Sequence, residues 1–217
     1  LPSFLQALEQ SRSSIVAYEI VLSVQRLINK YGKEQQMITW DIILSIVHDL
    51  LKHVETSANV KPVLISNIHD LLTAIEELHK QNQFNGNSDR FFSIIETCAD
   101  KRPETSILVL VQHKANQIHP AKEGWIQNLC HLLEKYYKHE IRTKIRLKVL
   151  DILSYVLSAN RHLHEDELIE NVVFPQLCHI DADQDVEVRK RASQLLVDLS
   201  HTCLSLHCLD LLNVIHR

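Results

Sequence analysis

Apolar residues recur every three to four positions along most of this chain, the spacing of helices that bury one face. The clearest stripe follows Pro62, a residue suited to the first turn of a helix. Its members are Leu64, Ile68, Leu71, Leu72, Ile75 and Leu78. No segment alternates apolar and polar residues with the period of two that a strand requires. The pattern predicts an all-α protein.

The predicted helices follow one another closely and form pairs that begin about 40 residues apart, as in HEAT repeats. The segment QNQFNGNS, residues 81–88, is the clearest loop, and Ser88 or Asp89 is the expected N-cap of the next helix. We predict about five helical hairpins and the start of a sixth. Their approximate bounds are 2–31, 34–81, 88–118, 123–159, 165–200 and 205–217.

The stretch VFPQLCHIDADQDVEVRKRASQLLVDL, residues 173–199, is the most HEAT-like hairpin. Pro175 lies inside its first predicted helix, where proline removes a hydrogen bond and bends the axis. The second helix has an apolar stripe of Val188, Ala192, Leu195, Leu196 and Leu199. Such a hairpin buries its apolar faces only by stacking on its neighbours. We therefore expect one right-handed α-solenoid over residues 1–217, cut from a longer chain.

Two acid–arginine pairs recur at equivalent places in the last two complete hairpins. Asp183 precedes Arg189 by six residues, and Glu140 precedes Arg146 by the same interval. Each acid is expected in a turn and each arginine on the following helix, so an arginine can bridge acidic turns of adjacent repeats. We predict a structural ladder, with partner binding as the alternative role.

The charge pattern limits the classes of partner. The net charge of −4 is unfavourable for nucleic acid, because phosphate binding requires a basic field. The basic stretch KYYKHEIRTKIRLK, residues 135–148, contrasts with this balance. It is expected to be a solvated edge or a patch that docks an acidic protein surface. No apolar run has the length of a membrane span, so we expect no membrane insertion.

Signatures of catalysis or metal binding are weak. His201, Cys203, His207 and Cys208 are close enough to suggest zinc, but a CxxC spacing and a second ligand pair are missing. There is no GxSxG and no glycine-rich phosphate loop. We predict no metal, no cofactor and no enzyme activity. The five scattered cysteines fit reduced thiols in a cytosolic protein, and the two tryptophans, Trp40 and Trp125, fit packing anchors.

Four longer segments resemble the tuberin family of tumour suppressors. They are SRSSIVAYEIVLSVQRLINKY (11–31), CADKRPETSIL (98–108), IHPAKEGWIQNL (118–129) and IRLKVLDILSYVL (145–157). The resemblance implies a non-catalytic part of the N-terminal helical-repeat region, which supports assembly with hamartin. The resulting complex acts as a GTPase-activating protein for the small GTPase Rheb and restrains mTOR signalling. The catalytic domain lies elsewhere in the longer protein, and no hamartin-contacting residue carries over.

The resemblance also implies a cytoplasmic protein, recruited to the lysosome surface within its complex. Other domains of the longer chain are expected partners, and uncovered apolar ends of the fragment are expected to favour self-association. One rival is a HEAT-repeat adaptor of the transport-receptor kind, whose acidic inner surface binds basic peptides. A second rival, a metal- or thiol-dependent enzyme, requires the scattered His and Cys residues to converge in space.

Overall fold

The regular structure of this chain is helical. The computed structural model describes residues 1–11, 13–34, 39–57 and 60–202, and only the backbone of residues 161, 162 and 202. Within these ranges every regular element is a helix and no strand occurs. The predicted all-α class is confirmed. The chain divides into two compact units, Leu1–Arg102 and Pro103–Arg217.

The first unit packs its helices in two layers. Helices α1 and α5 both contact α3, whereas α2 packs along α4. Contacts between α1 and α2, and between α3 and α4, join the two layers. The bounds are α1 Pro2–Gln10, α2 Ser14–Tyr31, α3 Trp40–Thr56, α4 Pro62–Lys80 and α5 Ser88–Thr97, followed by a 3₁₀ turn at Ala99–Lys101.

The second unit repeats this scheme. Helix α8 packs between α6 and α10, while α7 contacts a π-helical segment at Ile169–Val173. Another π-helical segment, Glu134–Lys138, continues α7. The bounds are α6 Glu104–Ala115, α7 Trp125–Leu133, α8 Thr143–Leu168, α9 Phe174–Leu177 and α10 Val186–Thr202. Layered packing fits an α-solenoid within each unit, and one continuous array of the predicted repeats remains a prediction.

The apolar stripes are buried as the periodicity predicts. All six stripe residues of α4 are buried, and so are all five of α10. Because each stripe faces a neighbouring helix, hydrophobic burial fixes the rotation of that helix about its axis. Trp40 and Trp125 are buried as well.

Several predicted helix ends differ from the structure. Asn87, and neither Ser88 nor Asp89, caps α5: its side-chain oxygen accepts a hydrogen bond from the Arg90 amide at 2.9 Å. Glu34 lies outside the third helix, which begins at Trp40. The helix expected from about residue 205 lies outside the described residues.

The gap predicted between the hairpins at 123–159 and 165–200 is a kink within one helix. Helix α8 runs on to Leu168, and only His164 has non-helical backbone angles, φ −134° and ψ 23°. Polar residues around this position suggested a loop. The backbone is helical on both sides of this one distorted residue.

Pro175 is the second residue of α9, which follows the π-helical segment at the C-terminal end of this long helix. Proline has no N–H, so it cannot donate to the carbonyl of Asn171, four residues earlier. The Cys130 thiol on α7 donates to that carbonyl, with Sγ 3.4 Å from the oxygen. A side chain from the neighbouring helix thus bonds a carbonyl to which Pro175 cannot donate.

An aromatic cluster closes the loop between α4 and α5. Phe84 packs on Trp40 and Phe91, with ring centroids 4.7 Å and 5.5 Å apart. Gly86 lies against this cluster: a Cβ atom there would be 2.4 Å from the Phe84 ring and 2.9 Å from Trp40 Cβ. The loop sequence therefore requires a residue without a side chain at this position.

Candidate protein-interaction surface

An ion pair with two hydrogen bonds joins α8 to the turn before α10. Arg146 Nη1 donates to Asp183 Oδ1 at 3.0 Å, and its Nη2 donates to Asp183 Oδ2. The two side chains are each only 12% exposed. The same guanidinium donates through Nε to the Tyr137 carbonyl at 2.8 Å and stacks over the Tyr137 ring. Arg146 therefore links three chain segments.

The other two ladder residues, Arg189 on α10 and Glu140 in the turn before α8, make contacts of a different kind. Arg189 Nη1 donates to the backbone carbonyl of Asp183 at 2.9 Å, while the Asp183 carboxylate binds Arg146. Glu140 binds Arg142 within its own turn, with Oε2 2.6 Å from Nη2. The two predicted acids therefore have different environments, one bridging two hairpins and one local.

Asp185 organises the start of α10. Its Oδ1 accepts hydrogen bonds from the amides of Glu187 and Val188, at 3.0 Å and 3.2 Å, which satisfies two donors of the first turn. Its Oδ2 accepts from the Thr143 hydroxyl at 2.5 Å. This N-cap was not among the predicted site residues, although an Asp three residues before a helical stripe is a recognisable signal.

The contacts shift the pKa values of the groups involved. The hydrogen bond from Arg146 holds the pKa of the Asp183 carboxyl below its ordinary value. The hydrogen bond from Thr143 similarly lowers the pKa of Asp185. Burial raises the pKa of Tyr137 to about 12, so this phenol stays neutral. The cluster thus keeps ionised carboxylates against a permanent cation, an arrangement that stabilises packing.

The basic stretch 135–148 is mostly neutralised by neighbouring acids. Lys138 lies 3.3 Å from Glu134, and Lys144 lies 3.2 Å from Glu104. Its two arginines are engaged by Glu140 and Asp183, as described above. The stretch therefore does not form one continuous positive patch.

Lys148 differs from these side chains. It is half-buried, and no carboxylate of the described residues lies within the 4.0 Å of an ion pair from its Nζ. It lines a groove of about 390 Å³ between α6 and α8. The other lining residues are Gln112, Ala115, Asn116, Ile118, Asp151, Ile152, Tyr155 and Val156.

The floor of this groove is apolar and its rim is polar. Ile152 and Val156 are buried beneath it, and the Tyr155 ring is 74% exposed at its edge. Gln112 donates to Asn116 at 2.9 Å on the α6 side. A groove with an apolar floor and a few placed polar groups suits a bound side chain or peptide segment.

A buried ion pair in the first unit was missed at the sequence level. Arg102 Nη2 lies 2.8 Å from Glu76 Oε2, and the two side chains are 1% and 8% exposed. Arg102 also donates to the His69 carbonyl at 2.9 Å and to the Thr73 hydroxyl at 3.1 Å. The contact ties the end of the unit to α4. No periodic signal links residues 26 positions apart, so spacing alone could not find it.

The next question is whether the described residues contain a metal-binding site. No group of three or more His, Cys, Asp or Glu side chains among them is arranged to hold an ion. His201 is described, but the other three candidate ligands, Cys203, His207 and Cys208, lie outside the described residues. Cys98, Cys130 and Cys178 are free thiols. Of the helices in the described ranges, none has both the length and the apolar character to cross a bilayer.

A comparison with protein families assigns the chain to one family. The sequence model of one family, described as a domain of unknown function (DUF3384), matches residues 1–154. The match spans all of the first unit and continues into α8 of the second. It covers most of the chain's length and contains the basic stretch and Lys148. The chain therefore belongs to the DUF3384 family.

Proposed function

We propose that this chain is a non-catalytic helical scaffold, similar to the N-terminal repeat region of tuberin, that supports assembly with hamartin. The complex would act as a GTPase-activating protein for Rheb and restrain mTOR signalling, with catalysis performed by another domain. It would be cytoplasmic and recruited to the lysosome surface with its partners.

The layered packing of the helices carries this proposal. In the second unit α6, α8 and α10 lie side by side, and Arg146–Asp183 and Asp151–Arg191 contacts join neighbouring hairpins. Such packing holds an extended surface in a fixed geometry, and stacked helical repeats use surfaces of this kind to bind partners.

The family match and the tuberin resemblance fall on overlapping residues. Three of the four resembling segments lie inside the matched residues, and the fourth, 145–157, begins within them. The resemblance and the family match therefore concern largely the same part of the chain.

A pull-down tests the proposal. Immobilised chain is incubated with purified hamartin, with and without an excess of a basic peptide. Retention of hamartin that the basic peptide does not displace is expected. Loss of hamartin, or retention of the basic peptide itself, would favour the transport-receptor type of adaptor.

The single-solenoid arrangement has its own test. Small-angle scattering of the monomer should give an elongated particle, whereas a spherical one would contradict stacking of all repeats along one axis. The same samples, measured over a concentration series, would reveal self-association of the chain.

A further inference from the structure

The groove between α6 and α8 places a cation beside an apolar surface. Lys148 is half-buried in its wall and has no carboxylate within ion-pair distance among the described residues. The acid in the same groove, Asp151, is already bound by Arg191 Nε and Nη2, both at 2.8 Å. The groove therefore presents a positive charge that no carboxylate of the described residues neutralises.

The position of Lys148 on α8 places its charge in line with an apolar and an aromatic side chain. Lys148 lies one turn after Lys144, which forms an ion pair with Glu104. It lies one turn before Ile152, whose side chain is buried under the groove. Seven residues beyond Lys148, Tyr155 exposes its ring on the same side of the helix. A ligand in the groove would thus meet a cation, an aliphatic floor and an aromatic edge in succession.

We propose that this groove docks a segment of the partner protein that carries an acidic side chain next to an apolar one. The carboxylate would pair with Lys148, and the apolar side chain would cover Ile152 and Val156 against the Tyr155 ring. Charge complementarity selects such a segment over a basic one, because a basic side chain would meet Lys148 unfavourably. A nucleic acid would need several cations, and the neighbouring ones are engaged by Glu104, Asp151 and Asp183.

The inference rests on the proposed function, since it names the surface and the partner chemistry of the same assembly. Its test compares the affinity of purified hamartin for four forms of the full 217-residue chain: wild type, Lys148→Glu, Lys148→Arg and Lys190→Glu. Lys190 is exposed on α10 and lies outside the groove, so its variant matches the charge change of Lys148→Glu.

Lys148→Glu is expected to weaken binding about tenfold or more, because it replaces an attraction by a repulsion. Lys148→Arg keeps the cation and should bind as wild type does, and Lys190→Glu should do the same. Melting temperatures near the wild-type value would show that each variant is folded. If wild type binds hamartin and Lys148→Glu binds equally well, the groove inference fails while the proposed function stands. If wild type does not bind, the proposed function fails and the inference falls with it.

Photo-crosslinking identifies the occupant. A photoreactive phenylalanine derivative at position 155 should capture peptides of hamartin that contain Asp or Glu beside apolar residues, as read by mass spectrometry. Lys148→Glu in the same chain should reduce that crosslink. Capture of basic segments, or of a second copy of this chain, would overturn the proposal.

Discussion

Replacing Arg146 by methionine tests the central contact of the second unit. Methionine keeps much of the length of the apolar stem, so the change removes mainly the guanidinium and its bonds. Asp183 would lose both donors of that guanidinium, and the Tyr137 carbonyl would lose the bond from Nε. One bond to the Asp183 carboxylate survives, from the Asp185 amide at 2.9 Å.

The magnitude follows from the burial of the pair. Exposed ion pairs contribute about 0–1 kcal/mol, whereas loss of one partner of a fully buried pair costs about 3–5 kcal/mol. Side chains that are 12% exposed lie near the buried limit, and the surviving Asp185 bond lowers the cost. We expect a loss of about 3 kcal/mol in the free energy of unfolding.

Urea unfolding followed by circular dichroism measures this loss. With a denaturant slope of about 2 kcal/mol per molar, the midpoint should fall by about 1.5 M. The chain has two compact units, so hydrogen–deuterium exchange should locate the weakening in the second one, around the start of α10.

Lys138→Met is the matched control, since it removes the cation of a more exposed pair with Glu134. Its cost should stay below about 0.5 kcal/mol. A change of similar size in Arg146→Met, or a loss of protection confined to the first unit, would refute the reasoning. In that case the contact would be a surface pair with no part in holding the hairpins together.

Three further predictions concern other contacts. Arg102→Met should cost about 3–5 kcal/mol in urea unfolding, and adding Glu76→Leu should recover part of the loss; a more severe effect of the double variant would contradict this. Gly86→Ala should lower the free energy of unfolding by about 1–3 kcal/mol because its methyl group overlaps the Phe84 ring, and an unchanged melting temperature would count against the clash. The pKa of Asp183 is lowered in the folded state, so the stabilisation is complete above the ordinary Asp pKa of about 3.9 and is lost as the pH falls below it. The stability difference between wild type and Arg146→Met should therefore shrink below about pH 4, and a difference that grows on acidification would show the sign to be wrong.

Local patterns in the sequence were sufficient for the helices and for the faces that they bury. Residues three and four positions apart are neighbours on a helix, so the stripe of α4 and the stripe of α10 could be found without knowing what they contact. Helix ends were less certain because several polar residues compete for each cap. Asn87 caps α5, whereas Ser88 or Asp89 was the predicted N-cap.

Charged partners were decided only by the tertiary structure. Asp183 could be paired with Arg189 by spacing, but the packing of α8 brings Arg146 to the Asp183 carboxylate. Arg189 donates instead to the backbone carbonyl of Asp183. The basic stretch contained Lys148, yet no pattern distinguished it from the neighbouring basic residues. Those residues pair with carboxylates that lie on other turns and helices. Periodicity fixes which side of a helix is buried, whereas a salt bridge depends on distances of a few ångströms between helices. Those distances exist only once the side chains of two helices have packed against each other.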